Sequence, residues 1–172
     1  MSRSPRDEQQ MLLGEWACLG VLARGPNHGF AIARELRVTE SIGRVWSLSR
    51  PLTYRAIDRL IELGHAEVVG EEPGTAGGNR TLVAITRTGR VALRTWCQTP
   101  VLHLRDLRSE LLLKLVVADL NGIDTSRLIA NQKVIVDDFV KANRGSRDVV
   151  DSWRHEMAVA AKRFLDTFGR KI

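Results

Sequence analysis

The stretch SRPLTYRAIDRLIELG, residues 49–64, places three arginines, a tyrosine and two hydroxyls on one helix-length segment. A guanidinium is a planar fork of donors that fits phosphate oxygens and the acceptor edge of guanine, so this cluster suits nucleic-acid recognition without any covalent step. Ser49, Arg50, Thr53 and Tyr54 fall at the start of the segment. There, side chains and unpaired backbone N–H groups can meet phosphate. Arg55 and Arg59 stand four residues apart and are the candidates for guanine edges. The charge count alone is a poor argument, because Asp58 and Glu62 share that face, as on any solvated helix. Arg80 follows a Gly-rich spacer and is a candidate for contact with the DNA backbone or minor groove. Arg44 is a weaker candidate.

Other chemistries find little support. His28, His65, His103 and His155 are scattered, without the i, i+4 or Cys-x-x-Cys spacing of a metal site. GTAGGNR, residues 74–80, lacks the Gly-Lys-Ser/Thr ending of a phosphate loop. No acid pair and no Ser/His/Asp grouping stands out, so neither catalysis, metal nor cofactor is expected. Cys18 and Cys97 lie inside apolar helical patterns and read as buried free thiols.

The 172 residues carry a net charge of +6, which favours an anionic partner. The excess is even: residues 1–95 and 96–172 each hold 13 basic against 10 acidic residues, so specificity must come from placement. All five lysines lie in the second half, leaving the first half basic through arginine alone. MSRSPRDEQQ at the start lacks the pattern of a secretory signal, and no apolar run reaches membrane-spanning length. A cytoplasmic protein is expected.

These residues need a scaffold, and the elements can be read in order. Leu12, Trp16, Leu19 and Ala23 recur with helical spacing, and Gly25-Pro26 ends that helix. Asn27 can cap a second helix whose Phe30, Ile32, Ala33 and Leu36 face the first. Ser49 and Pro51 start the third, from about Arg50 to Leu63, and Gly64 stops it. Its apolar sector comprises Leu52, Ala56, Ile57, Leu60, Ile61 and Leu63. HAEVV and RTLVAIT follow as strands joined by the flexible loop GEEPGTAGG, and Thr86 caps a fourth helix through Trp96. A third helix after a short turn and before a hairpin is the recognition helix of a winged helix-turn-helix.

Beyond Leu102 the pattern is helical, with breaks at Asn121-Gly122 and Gly145 and a cap at Asp124. The last helix spaces Val150, Trp153, Met157, Ala160 and Phe164 by 3, 4, 3 and 4, a coiled-coil-like seam that suits a partner helix, from a second copy or, as the alternative, from its own chain. Trp96, Phe139, Trp153 and Met157 are candidates to line an effector pocket between the halves. The expected architecture is mainly α with a small β-hairpin wing. A flexible tail covers 1–9, a winged helix-turn-helix DNA-binding domain 10–97, and an all-helical dimerisation domain 98–172.

Taken in order, LGVLARGPNHGFAIAREL, Trp46, LSRPLTYRAIDRLIELGHAEVV and NRTLVAITRTGRVAL resemble the PadR family of bacterial transcriptional regulators over residues 10–95. LRSELLLKL resembles the start of the longer helical domain of one PadR subgroup. Phe30 stands where the family has Tyr, Ile57 where it has Leu, His65-Ala66 where it has an apolar pair, and Val83 where Tyr is common. The resemblance implies a homodimeric repressor, with Tyr54, Arg55 and the wing near double-stranded DNA. It also raises release by a small-molecule effector. Dimer symmetry predicts an inverted-repeat operator. The rival is a winged-helix adaptor that binds protein rather than DNA.

Overall fold

A buried helix starts the fold in the computed structural model, which describes residues 11–74, 78–142 and 144–169. The expected tail and the centre of the 70–78 spacer lie outside those residues. Helix α1 (Leu13–Leu22) is apolar almost all round and is buried on nearly every side, including Ala17, Cys18, Leu19 and Leu22. It is therefore the axis of the first core. The amphipathic helix expected here is corrected at Leu12, which is 67% exposed just before the first turn. The Glu15 carboxylate accepts the Leu12 N–H at 2.7 Å, satisfying one donor of that turn.

Asn27 does not cap the second helix. Asn27–His28 form a short strand, β1, and His28 takes the cap, its Nδ1 accepting the Ala31 N–H at 3.2 Å. Helix α2 (Gly29–Glu35) is shorter than expected; Ile32 and Leu36 are buried, whereas Phe30 turns outward. Helix α3 (Arg50–Glu62) carries Pro51 in its first turn, and Gly64, at φ +70°, follows its end.

Strand β2 (Ala66–Pro73) runs further into the spacer than expected, with a bulge between Val68 and Gly70. With β3 (Asn79–Ile85) and β1 it forms an antiparallel sheet in the order β1-β3-β2. Helix α4 (Arg87–Gln98) begins where the Thr86 hydroxyl accepts the Gly89 N–H at 3.1 Å.

Past Pro100 the chain tightens into a 3₁₀ turn (Leu104–Asp106) and widens into a π turn (Leu107–Leu111) before α5 (Leu112–Leu120). Asp124 receives the N–H and hydroxyl of Ser126 at the start of α6 (Ser126–Ala142), and these bonds hold its carboxyl below the usual carboxylate range. Asp148 caps α7 (Val149–Phe168) by accepting the Val150 and Asp151 N–H groups.

Two apolar cores result. Leu19, Leu22, Ile32, Leu36, Leu60 and Leu93 belong to the first; Leu107, Leu111, Leu115, Leu128, Val136 and Leu165 belong to the second. Helix α5 serves both, since Leu113, Val117 and Ala118 close the first core while Leu115 enters the second. The first core also draws on α5, which lies beyond the division expected near residue 97. The mainly helical winged helix-turn-helix architecture stands as expected. Both cysteines are buried free thiols, and among the described residues no helix is long and apolar enough to cross a membrane.

Candidate nucleic-acid interface

The buried stripe of α3 consists of Thr53, Ala56, Ile57 and Leu60. Two expectations change with that phase. Thr53 is fully buried and its hydroxyl donates to the Ser49 carbonyl at 3.1 Å, so it braces the first turn and does not face a partner. Leu52, expected inside, is 47% exposed, and Ile61 and Leu63 sit half-buried at the edges. The buried stripe keeps the centre of the apolar sector read in the sequence but is narrower, so Leu52 at its edge is left outside while Thr53, near its middle, is inside.

What remains outward falls on two flanks. Arg55 lies about 150° from the centre of the buried stripe at 100° per residue, the outermost ridge of the helix. It has no ion-pair partner among the described residues. Arg59, by contrast, is drawn to Glu62 at 3.0 Å, which ties it along the helix surface. Leu52 shares this flank and offers methyl groups where a thymine methyl could meet them. Nothing in the sequence singled it out, because apolar spacing assigns a leucine to the core by default.

The other flank, Arg50 and Tyr54, faces the sheet. Tyr54 is 42% exposed, and its ring packs on Gly29, where an added Cβ would stand 2.6 Å from Tyr54 Cε1. Only glycine admits that approach. Ser49 is exposed at the N-cap position, and its hydroxyl makes no capping bond. Across from this flank, Arg80 on β3 reaches His28, with Nη1 3.4 Å from Nε2. Phe30 lies within cation–π distance of Arg50 (4.9 Å) and Arg80 (5.9 Å). His28 and Phe30 thus join Arg50 and Arg80 at this candidate site, a meeting the sequence did not reveal because it brings together residues some fifty positions apart.

The wing is not uniformly basic. Strand β2 exposes Glu67, Glu71 and Glu72 against the single Arg80 of β3, and Asn79 donates to the Glu71 carboxylate at 2.7 Å. Its β1 and β3 side is the one that suits an anion. Arg44 is exposed in the turn before α3.

The residues expected to line an effector pocket are differently placed. Trp96 is 9% exposed, stacked on Trp16 with centroids 4.8 Å apart, and covered by Lys114 at 5.2 Å. It fills the first core. Phe139 is half-buried on α6, and Met157 and Trp153 lie on α7, Trp153 being 59% exposed. Among the described residues there is no His, Cys, Asp and Glu group that could hold a metal ion.

The seam on α7 is uncovered by the chain's own fold: Val150, Trp153 and Phe164 are 50%, 59% and 38% exposed, Ala160 is exposed and Met157 half-buried. Ala158, Ala161, Leu165 and Phe168, one position along the helix from that seam, pack inward instead.

No protein-family model and no curated protein matches the chain by sequence. Among solved structures, Bacillus subtilis PadR in complex with operator DNA is similar at 17% identity and a TM-score of 0.50, over 94% of this chain and 98% of that one. Bacillus subtilis PadR without DNA aligns at 16% identity and a TM-score of 0.41 over 98% and 97%. Over that span the chain shares the fold of the DNA-complexed structure, a winged helix-turn-helix followed by helices.

Proposed function

We propose that the chain is a sequence-specific DNA-binding transcriptional regulator of the PadR type, a repressor that binds an inverted repeat as a homodimer. One observation carries the reading. The first half of α3 divides into an outer ridge, where Arg55 makes no ion pair among the described residues, and a flank where Arg50 and Tyr54 join Arg80 from the wing. That division matches what DNA demands: a ridge for base edges and flanking cations for phosphate. Arg55 is the candidate for a guanine edge, Leu52 for a thymine methyl, and Ser49, Arg50, Tyr54 and Arg80 for the backbone. The shared fold with a PadR structure that holds operator DNA supports this.

The α7 seam supplies the second copy. Two symmetric helices α3 about 34 Å apart would then enter successive major grooves. A gel-shift experiment with the gene's own upstream DNA at two salt concentrations tests the reading. The expected outcome is a sequence-preferring shift that weakens steeply with salt. Its absence across that region leaves the exposed glutamates of the wing and the mixed face of α3 to a protein partner.

A further inference from the structure

Helix α4 carries Arg87, Arg90 and Arg94 and no acidic residue, and these arginines stand on its exposed side around Val91, which is 61% exposed. Arg87 and Arg94 make no ion pair among the described residues. Strand β2 has the opposite character. It holds Glu67, Glu71 and Glu72 and no basic residue, around Val68 and Val69, which are 55% and 48% exposed. It is also an edge strand, paired only with β3, so one side of its backbone faces no other strand. Two apolar centres rimmed by opposite charge thus stand open on one domain.

The stripe on α4 is poorly placed for the DNA that α3 would read. The Thr86 and Thr88 hydroxyls both donate to the Gly64 carbonyl at 2.7 Å, which sets the start of α4 beside the end of α3. Ser49 and Arg50 lie at the opposite end, a helix of 13 residues or about 20 Å away. From its start α4 packs along α1, α5 and α6. Its arginines therefore suit a different acidic surface.

The chain itself carries one of matching sign. Ala66 of β2 pairs with Ile85, two residues before Arg87, so the acidic strand and the basic helix begin side by side. A twofold axis between the two halves lays β2 of one copy on α4 of another, and the reverse, so that the patch complements itself. Strand on strand or helix on helix would instead set like charges together.

We infer that this patch joins neighbouring copies on DNA, β2 of one against α4 of the next, as a lateral contact separate from the α7 seam. The inference rests on the DNA-binding reading above. Exposed ion pairs are individually weak and screened, so the contact forms where DNA holds two copies side by side and raises their effective concentration. Its consequence is cooperative filling of adjacent sites.

The test uses the full chain and duplexes carrying the bound segment of the gene's upstream region once or twice, with the spacing stepped by single base pairs through a helical turn. At one phase of the spacing the two segments fill together, with cooperativity on the order of tenfold, as several exposed ion pairs would give. Glu67→Arg with Glu71→Arg abolishes that cooperativity, and so does Arg87→Glu with Arg94→Glu. The chain carrying both pairs of changes recovers it, because the exchanged signs attract again. Affinity for the single segment, measured for each variant, removes any effect of the wing charges on DNA binding itself. Independent filling at every spacing, cooperativity that survives either reversal, or no recovery in the combined variant overturns the contact and leaves DNA binding standing. Failure of the wild type to bind any duplex overturns the DNA-binding reading and this contact with it.

Discussion

Arg50 and Arg55 sit five residues apart on one helix but face different surroundings, and the difference predicts two binding phenotypes. Arg55 projects from the outer ridge, so Arg55→Ala should weaken the preferred site by about 1–3 kcal/mol and relax discrimination at one base pair. Arg50 looks toward the wing, so Arg50→Ala should weaken all duplexes alike and reduce the salt slope by about one. Titrations of matched and mutated sites at several salt concentrations separate them. Gly29 is a third case: any side chain there meets the Tyr54 ring, 2.6 Å from an added Cβ. Gly29→Ala should push Tyr54 away from the α2 start, lowering both thermal stability and DNA affinity, whereas Tyr54→Leu in the same background should relieve the stability loss only. The spacing of the residues made Arg55 and Tyr54 legible. It could not show that Thr53 is buried and Leu52 exposed, because residue type places a threonine outside and a leucine inside, whereas the neighbouring elements fix how wide the covered sector is.

At the scale of elements, the join between α4 and α6 depends on one side chain. Gln132 is fully buried on α6, and its amide both accepts the Val101 N–H at 2.8 Å and donates to the Val101 carbonyl at 2.9 Å, as a strand partner would. Gln132→Leu strands both backbone groups in an apolar core, at a cost of about 2–4 kcal/mol. Urea unfolding should show the midpoint falling with the slope unchanged. Helices α1 and α5 meet at Gly20, where a Cβ would stand 2.8 Å from Val117. Those two helices also enclose the environment of the thiols. Burial pushes both Cys18 and Cys97 up to about 12, with Lys114 partly opposing the shift at Cys97. Since the folded value lies above the ordinary one near 9, the stability from keeping the thiols neutral is intact below pH 9 and is lost as pH rises toward 12. Iodoacetamide at pH 7 should therefore label the native protein far more slowly than the urea-unfolded chain. The turns, caps and strand pair around these helices were legible because Gly64, Thr86 and Asp124 act within a few residues. The strand β1 was not, because Asn27 and His28 become a strand only by pairing with Val83 and Leu82.

For the whole molecule, the exposed α7 seam is where the proposed dimer can be tested. Trp153→Glu with Phe164→Glu places charge on an exposed stripe and leaves the inward contacts of Ala158 and Leu165 intact. Sedimentation should show the wild type as a dimer and the double variant as a folded monomer with much weaker operator binding, since the half-sites no longer share one ligand. A monomeric wild type would instead leave the seam to another partner. The sequence by itself determined the succession of helices and hairpin, the stops at Gly64 and Gly122, the buried cysteines and the clustering of arginine at the start of α3. All of these follow from local backbone preference and periodicity, which a chain carries wherever it is placed. Tertiary structure alone decided that Phe30 turns outward between Arg50 and Arg80, that His28 directs its second nitrogen at the wing, that Trp96 is closed against Trp16, and that α5 serves two cores. Each of those depends on groups far apart in the chain brought within a few ångströms, and no pattern along the sequence encodes which distant surface a side chain will meet.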